Sequence, residues 1–385
     1  MKKMSILAAV CAILGVGSPH VQALARQHVI VGYYMGEMPV SKIPASMLTH
    51  VIYSFAEPGP DNKCIPPSAQ QRQTLAQLRA LRDAHPGLYV TTSIGGWSAA
   101  KNYSNVALTP RSRAAFASSC IEEYVVAPGL DGIDIDWEFP VSGGDTGMIN
   151  RPQDRADVTL LLRELRRQLD ALGNRTHRHY FLTAAIPAGR WQSAGPYDPA
   201  RSYDLRAVAQ IVDWMNVMTY DMNQGFSPVS GFNSPLYPDP PGAPVAPLQR
   251  KLNNIAGAVQ YFEDRGVPAN KIALGVPFYG RGFMNVSSKN AGLYSKYKGI
   301  YDETPWFRVE NELLKDPAWE RHWSAAVQVP WIYNPVHHIF FSYDDPHSIR
   351  LKAGFARRKH LLGTMFWVLG EDDEQNSLLR ALYRQ

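Results

Sequence analysis

Strand-type segments alternate with helix-type segments along this sequence, and that alternation restricts its fold more than any other feature. Eight short runs rich in β-branched and aromatic residues lie at 28–34, 49–55, 87–96, 132–139, 180–187, 214–220, 271–280 and 361–369. Amphipathic stretches, with Leu, Val and Ala at three- and four-residue intervals, lie at 70–84, 110–126, 155–172 and 248–265. The pattern predicts an α/β fold, a (β/α)8 TIM barrel. A doubly wound open sheet is the alternative, but no glycine-rich phosphate-binding fingerprint follows the first strand.

Two segments exceed the usual length of barrel connections. Residues 222–247 are crowded with proline and glycine, which predicts an irregular surface segment. Residues 282–342, between the seventh and eighth strands, are too long for a loop and contain many Trp and Tyr residues. They predict a small α+β insertion packed on the barrel. The expected organisation is one barrel domain at 26–385 that carries this insertion.

The N-terminus has the pattern of an export signal. A basic start, "MKKM", precedes the apolar run "SILAAVCAILGVG" and the small-residue site "ALA", which predicts a signal peptide at 1–25 and a secreted or periplasmic protein. The apolar run is shorter than the roughly 20 residues that span a bilayer, so no membrane association is expected after its removal. Cys64 and Cys120 would then remain, and they could either form one disulfide or stay apart.

Composition narrows the class of protein further. The 385 residues are 45% hydrophobic and 19% charged, which predicts a large packed core rather than disorder. The formal net charge is +5, and the lysines and arginines are scattered rather than clustered. Nothing in this distribution indicates a nucleic-acid partner. We expect a monomer.

Four acidic residues interrupt the apolar stretch "LDGIDIDWEFP" at 130–140. Because alternate residues of a strand share a face, Asp134, Asp136 and Glu138 form a row, with Glu138 nearest the carboxyl-terminal mouth of a barrel. Carboxylates so close together in a low-dielectric interior cannot all ionise. One acid would therefore stay protonated near neutral pH, as a general acid requires. Asp131, at the strand entrance, is expected to be structural.

Structural and metal-binding roles are the alternatives for this acidic row. A salt-bridge cluster would need Arg or Lys on facing strands, and the strand runs supply almost none. A metal site could use three acids, but no histidine with ligand spacing accompanies them. His337 and His338 lie in the expected insertion and are predicted to face solvent. We expect no metal.

A protonated acid in a barrel mouth suits glycoside hydrolysis, which usually adds a second carboxylate as nucleophile or base. Asp134 and Asp136 lie beneath Glu138 on the same strand, which is the wrong place to attack the opposite face of a sugar. This arrangement indicates a substrate-assisted route, in which the 2-acetamido oxygen of the substrate attacks the anomeric carbon. The chain must then hold that acetamide group with a carboxylate and a hydroxyl.

Six segments together resemble glycoside hydrolase family 18, the family of chitinases. "DGIDIDWE" matches its DxxDxDxE signature, and the other similar segments are "SIGGW" (93–97), "MTYD" (218–221), "GVPFYGRGF" (275–283), "FFSYDDPHSIRLK" (340–352) and "TMFWVLGED" (364–372). They occur in family order from about Val29 to the C-terminus. Phe139, where many relatives carry Tyr, and the proline-rich loop after "MTYD" depart from the pattern.

This resemblance implies retaining, substrate-assisted hydrolysis of β-1,4-N-acetylglucosamine linkages in chitin or chito-oligosaccharides, without a cofactor. The alternatives are an endo-β-N-acetylglucosaminidase acting on N-glycans or peptidoglycan and a non-catalytic chitin-binding lectin. The lectin is disfavoured because such relatives typically lack the acid, and Glu138 is present.

The resemblance also implies individual roles. Glu138 would be the general acid and later the base, Asp136 would hold the acetamide N–H, and Asp134 would share a proton with Asp136. Tyr220 would donate to the acetamide oxygen. Substrate contacts are implied for Trp97, Ser93, Met218, Asp221, Arg281, Trp367, Tyr33 and Phe55, of which Ser93, Met218, Tyr33 and Phe55 could equally be structural. Other aromatic residues that could extend a sugar groove or fill the core are Trp191, Phe226, Phe232, Tyr237 and Trp306, whereas Trp137 should face away from the acids.

Overall fold

A computed structural model describes residues 28–191 and 197–384, and its central element is a closed barrel of eight parallel strands. The signal peptide expected at 1–25 lies outside the described residues. The barrel order is β1-β13-β7-β6-β5-β4-β3-β2. Its strands are β1 (Val29–Tyr34), β2 (His50–Ala56), β3 (Tyr89–Gly95), β4 (Gly132–Asp136), β5 (Phe181–Pro187), β6 (Trp214–Met218), β7 (Ile272–Pro277) and β13 (Gly363–Trp367). The predicted TIM barrel is confirmed, since each strand-type run coincides with one of these strands to within one residue or contains it.

Helices connect the barrel strands and pack around the outside. They are α1 (Ala69–Ala84), α2 (Tyr103–Val106), α3 (Pro110–Ile121), α4 (Asp154–Thr176), α5 (Pro199–Ser202), α6 (Leu205–Ile211), α7 (Pro247–Leu252), α8 (Ile255–Glu263), α9 (Trp306–Arg308), α10 (Pro346–Arg358) and α11 (Ser377–Tyr383). Wider π-type turns extend α3 over Glu122–Val126 and α9 over Val309–Leu313. No helix in the described ranges is both long and apolar enough to cross a membrane.

The helix predicted over 248–265 is wrong as a single element, because it is two helices, α7 and α8. Asn254 is extended at φ −159°, and its side chain accepts a hydrogen bond from the Gly257 N–H at 2.8 Å, which caps the start of α8. The side chain of Asn253 accepts from the Trp191 N–H at 2.9 Å. The Asn-Asn pair therefore starts a new helix within a continuous apolar period.

A five-stranded antiparallel sheet lies between β7 and β13 in the chain. Its order is β10-β11-β12-β8-β9, and its strands are β8 (Tyr279–Met284), β9 (Gly299–Pro305), β10 (Glu320–Ser324), β11 (Val329–Asn334) and β12 (Ile339–Ser342). The sheet begins at Tyr279, so β8 follows β7 almost directly and starts before the predicted boundary at 282. Its inner face buries Phe283, Phe340 and Tyr333. His337 and His338 are exposed in the turn before β12.

The prediction that all of 222–247 is a surface segment is wrong for its middle part. The segment is irregular, but Phe232, Asn233 and Ser234 are buried between the barrel and the second sheet. Their polar groups have partners: Asn233 accepts from the Asp221 N–H at 2.9 Å, and Ser234 donates to the Thr219 carbonyl at 2.7 Å. Burial of irregular backbone is tolerated because such hydrogen bonds satisfy it.

The two cysteines and Asp131, which the sequence analysis considered, make structural contacts away from the barrel mouth. Cys64 and Cys120 form a disulfide, which ties the segment after β2 to α3. Asp131 lies at the entrance to β4, where its carboxylate accepts from Arg82 at 3.1 Å, from Arg178 at 2.6 Å and from the Val90 N–H at 2.9 Å. These contacts give Asp131 a structural role.

Candidate active site

Asp134 lies inside the barrel, level with Ser93 on the neighbouring strand. Its buried carboxylate accepts four hydrogen bonds, from Tyr33 (2.9 Å), Ser93 (2.7 Å), Thr183 (2.5 Å) and Asn216 (3.2 Å). Burial raises the pKa of Asp134, and the hydrogen bonds oppose that rise. The donors come from β1, β3, β5 and β6, so four strands fix this one side chain.

Thr183 and Asn216 were not predicted from the sequence. Both are polar residues at inward positions of apolar runs, "YFLTAAIP" and "WMNVMTY", and that pattern could have identified them. Asn216 also donates to the Tyr33 hydroxyl at 3.3 Å. The polar environment of Asp134 is therefore larger than the sequence motifs suggest.

Asp136 is one step closer to the mouth and is 3% exposed. Its Oδ1 has no hydrogen-bond partner among the described residues. Burial and the neighbouring charges of Glu138 and Asp134 raise its pKa well above the usual range of an aspartate. Gly95 of β3 has φ +107°, and a Cβ there would lie 2.1 Å from the Asp136 carbonyl oxygen. Only glycine therefore allows β3 to lie this close to the backbone of Asp136. Asp136 thus presents an unused acceptor toward the cleft.

Glu138 lies just beyond the end of β4 and lines the open cleft. Burial, together with the charge of Asp221, raises the pKa of Glu138 to about 8. An acid with this pKa is mostly protonated at neutral pH, which suits a proton donor.

Tyr220 lines the same cleft after β6. Burial and the charge of Asp136 raise the pKa of its hydroxyl well above the ordinary value, so the hydroxyl keeps its proton. Its contact within the described chain is a weak one, to the Met365 sulfur at 3.8 Å. The hydroxyl is therefore available as a donor beside Asp136 and Glu138.

A cleft of about 770 Å³ opens at the carboxyl ends of the barrel strands. The sequence-predicted residues that line it are Tyr33, Phe55, Trp97, Asp136, Glu138, Met218, Tyr220, Asp221, Arg281 and Trp367. Ser93 and Asp134 lie beneath it. Trp367 stacks on Phe55, with ring centroids 5.8 Å apart, and contacts Tyr33 at 5.5 Å. Trp97, 53% exposed, stands at the rim next to Phe139.

Asp221, Arg281 and Glu303 form a charge cluster in the cleft wall. The two oxygens of Asp221 accept from the Arg281 guanidinium, one of them at 2.9 Å, and the Tyr279 hydroxyl donates to Oδ1 at 2.7 Å. Arg281 also contacts Glu303 at 2.8 Å. Two carboxylates thus neutralise Arg281. Tyr279 and Glu303 belong to the second sheet, and no sequence motif identified them as site residues.

Comparison with known proteins places this geometry in a family. The model for glycosyl hydrolases family 18 matches residues 29–372. The chain belongs to this family. Similar proteins include Chitinase A1 of Niallia circulans, 36% identical over 303 residues (77% of this chain, 42% of the relative), and Chitinase B of Serratia marcescens, 30% identical over 405 residues (90% and 78%). The chain thus spans less than half of the first relative's length and over three quarters of the second's.

A solved family 18 structure has the same architecture. It is an N-acetylglucosaminidase from Paenibacillus barengoltzii, with a TM-score of 0.81 and 31% sequence identity, and the match covers 93% of this chain and 99% of that one. The barrel and the second sheet described above therefore form a fold shared with a solved family 18 structure.

Other aromatic residues were considered as possible sugar contacts in the sequence analysis. Of these, Phe226 lines the cleft and the others do not. Trp191 packs on Tyr261, Phe232 on Trp331 and Phe340, and Tyr237 on Phe355. The Trp306 indole N–H donates to Asp373 at 3.0 Å, and Trp137 stacks on Tyr103 in the core. These residues are structural because each is directed into packing rather than into the cleft. Arg190 and Tyr197 line the cleft without having been predicted.

Proposed function

We propose that the chain is a chitinase that hydrolyses β-1,4 linkages between N-acetylglucosamine units in chitin and chito-oligosaccharides, with retention of anomeric configuration. The observation that carries this proposal is one cleft that contains Glu138, whose pKa is raised to about 8, an unpartnered carboxyl oxygen on Asp136 and the Tyr220 hydroxyl. The family match and the two relatives named chitinases support it.

In the proposed first step, Glu138 donates its proton to the glycosidic oxygen while the bond from that oxygen to the anomeric carbon breaks. The acetamide oxygen of the same sugar attacks the anomeric carbon from the opposite face, which forms a cyclic oxazolinium ion. Asp136 accepts the acetamide N–H, and Tyr220 donates to the acetamide oxygen. Asp134 would share the proton that allows Asp136 to accept this N–H, and Ser93 and Tyr33 fix Asp134.

In the second step, the Glu138 carboxylate takes a proton from water as that water attacks the anomeric carbon. The ring opens, the acetamide is restored and Glu138 is again protonated, so atoms and charges balance. Two inversions at one carbon give net retention. Asp221 is unsuited to act as a protein nucleophile, because both its oxygens accept hydrogen bonds from Arg281.

The remaining predicted residues are assigned to substrate binding. Trp367, supported by Phe55, would be the floor on which the reacting sugar stacks, and Trp97 would support a sugar at the rim. Met218 would line the acetamide pocket, and Asp221 and Arg281 would contact sugar hydroxyls.

Product analysis on chitohexaose with the anomers resolved tests this proposal. The expected initial product carries the β configuration at its new reducing end, and an initial α product would overturn the mechanism. A high-mannose glycoprotein and peptidoglycan are assayed in parallel. Cleavage of either one, without cleavage of chitohexaose, would replace the chitinase with the endo-β-N-acetylglucosaminidase alternative.

We also propose that the protein is exported after removal of residues 1–25 and acts as a monomer. The disulfide between Cys64 and Cys120 supports export, because such bonds persist in oxidising compartments. Mass spectrometry of the mature N-terminus in the periplasmic and culture fractions tests this. An intact N-terminus in the cytoplasmic fraction would contradict it.

A further inference from the structure

Arg190 lies in the cleft wall just after β5, and the mechanism above does not use it. Its guanidinium carbon is 4.3 Å from the centroid of the Phe226 ring, a cation–π contact. Its backbone N–H donates to the Tyr197 carbonyl at 3.0 Å, which holds these two residues together. The arginine is thus held in place by its backbone and by an aromatic face.

In the part of the chain that the structure describes, no carboxylate neutralises Arg190. Within the described residues its side chain forms no ion pair or hydrogen bond, and its Nε is buried without a partner. Burial lowers the pKa of Arg190 somewhat, but an arginine remains cationic at any working pH. The other cleft arginine, Arg281, differs because Asp221 and Glu303 both bind it.

The cleft therefore carries charge of opposite sign in different places. Asp136, Glu138, Asp221 and Glu303 supply acidic groups around the reacting position, whereas the wall at Arg190 and Phe226 is positive. A polymer bound along the cleft would place another sugar unit against that wall. Phe226 is 39% exposed, so part of its apolar surface is open to a sugar ring.

We propose that Arg190 and Phe226 form a subsite that accepts an N-acetylated sugar unit and rejects a unit with a free, protonated amino group. An acetamide carbonyl can accept a hydrogen bond from the unpartnered guanidinium, whereas an ammonium group has no acceptor and is repelled. The inference deepens the proposed function and rests on it, since it requires a chito-oligosaccharide in the cleft. It makes Arg190 a determinant of specificity for the acetylation pattern.

A positional scan tests the subsite. Chitohexaoses with a single free amine at each position in turn are assayed for kcat/KM relative to the fully acetylated hexamer, at a pH where the amine is protonated. For wild type, a free amine at one position other than that of the reacting acetamide should lower kcat/KM about tenfold. This is the size expected for repulsion between the ammonium group and Arg190 within about 8 Å in a partly screened site. Arg190→Gln should reduce that loss to threefold or less, and Arg190→Lys should retain most of it.

Arg265 provides the matched control, because it is an exposed arginine stacked on Tyr261, at 3.3 Å from the ring centroid, outside the cleft. Arg265→Gln should reproduce the wild-type positional profile. Salt of about 1 M, where the screening length is about 3 Å, should weaken the discrimination by wild type. A wild-type profile without a second sensitive position, or one that Arg190→Gln leaves unchanged, would overturn the subsite.

Failure of the proposed function would look different, since wild type would then leave the fully acetylated hexamer intact. In that case the same positional set is tested by dissociation constants, which need no turnover. If a free amine at one position weakens binding to wild type and Arg190→Gln removes that effect, the result supports the subsite by itself. If binding shows no such dependence on position, the subsite is overturned.

Discussion

Three carboxyl groups on one short stretch of chain differ because their surroundings differ. Asp134 accepts four hydrogen bonds, Asp136 keeps one oxygen without a partner, and Glu138 has a pKa raised to about 8. The different properties of these three carboxyl groups therefore follow from their depth in the barrel and from the number of hydrogen-bond donors around each, not from residue type.

Glu138→Gln should retain oligosaccharide binding while kcat on chitohexaose falls by about 10²- to 10⁴-fold, because glutamine cannot donate the proton to the leaving oxygen. Steady-state rates and dissociation constants measure both quantities. Glu312→Gln, at an exposed glutamate in the helical turn between β9 and β10, is the control and should match wild type. A Glu138→Gln rate within tenfold of wild type would remove Glu138 from the role of acid.

The pH dependence of kcat/KM should also reflect Glu138. Activity is expected to decline as pH rises through about 8, because Glu138 then loses its proton. Asp221→Asn removes a negative charge that disfavours ionisation of Glu138, so the alkaline limb should move to lower pH. Rate profiles from pH 5 to 10 measure the shift. An alkaline limb that stays in place or moves upward in Asp221→Asn would contradict the assigned cause.

At the scale of elements, period-two alternation in β4 was enough to predict the acidic row, and periodic apolar runs were enough to predict the barrel. The contributions of Tyr279 and Glu303 were not predicted, because these residues enter the cleft through a sheet whose position depends on long-range packing. Arg281 of the same sheet was expected only from the family resemblance. The same limit applies to Asn253 and Asn254, whose side-chain hydrogen bonds divide a stretch that is periodic in sequence.

The Cys64–Cys120 bond links two residues separated by 56 positions in the sequence. Cys64→Ser with Cys120→Ser should lower the free energy of unfolding by about 2–4 kcal/mol, since the unfolded chain regains the freedom of a closed loop. Denaturant midpoints of the wild type with and without reductant, and of the double variant, measure this. Identical midpoints would show that the bond adds no stability. Turnover of the folded double variant should stay near that of wild type, because the bond is outside the cleft.

The whole molecule combines a closed barrel with a second sheet, and the cleft draws residues from both. Beneath the cleft, Asp134 joins side chains from four of the eight barrel strands. The barrel interior therefore contains a hydrogen-bonded polar group beside apolar side chains such as Phe181 and Trp214, and the site depends on barrel closure.

Asp134→Ala should lower global stability by about 3 kcal/mol or more, because it leaves several buried donors unpaired. Asp134→Asn, which retains an acceptor oxygen, should lose less. Denaturant unfolding monitored by far-UV circular dichroism gives both values, and an unchanged midpoint for Asp134→Ala would show that these hydrogen bonds contribute nothing.

Asp134 and its four hydrogen-bond donors also indicate which part of this scaffold does not tolerate redesign. A substitution at any of these five residues would disturb both catalysis and folding. Variants that carry such a substitution would therefore seldom survive selection for a new substrate. Arg190 and Phe226 contact each other at the surface of the cleft and share no hydrogen bond with that group. A mutant library aimed at altered polymer preference should therefore vary the cleft wall and leave the barrel lumen intact.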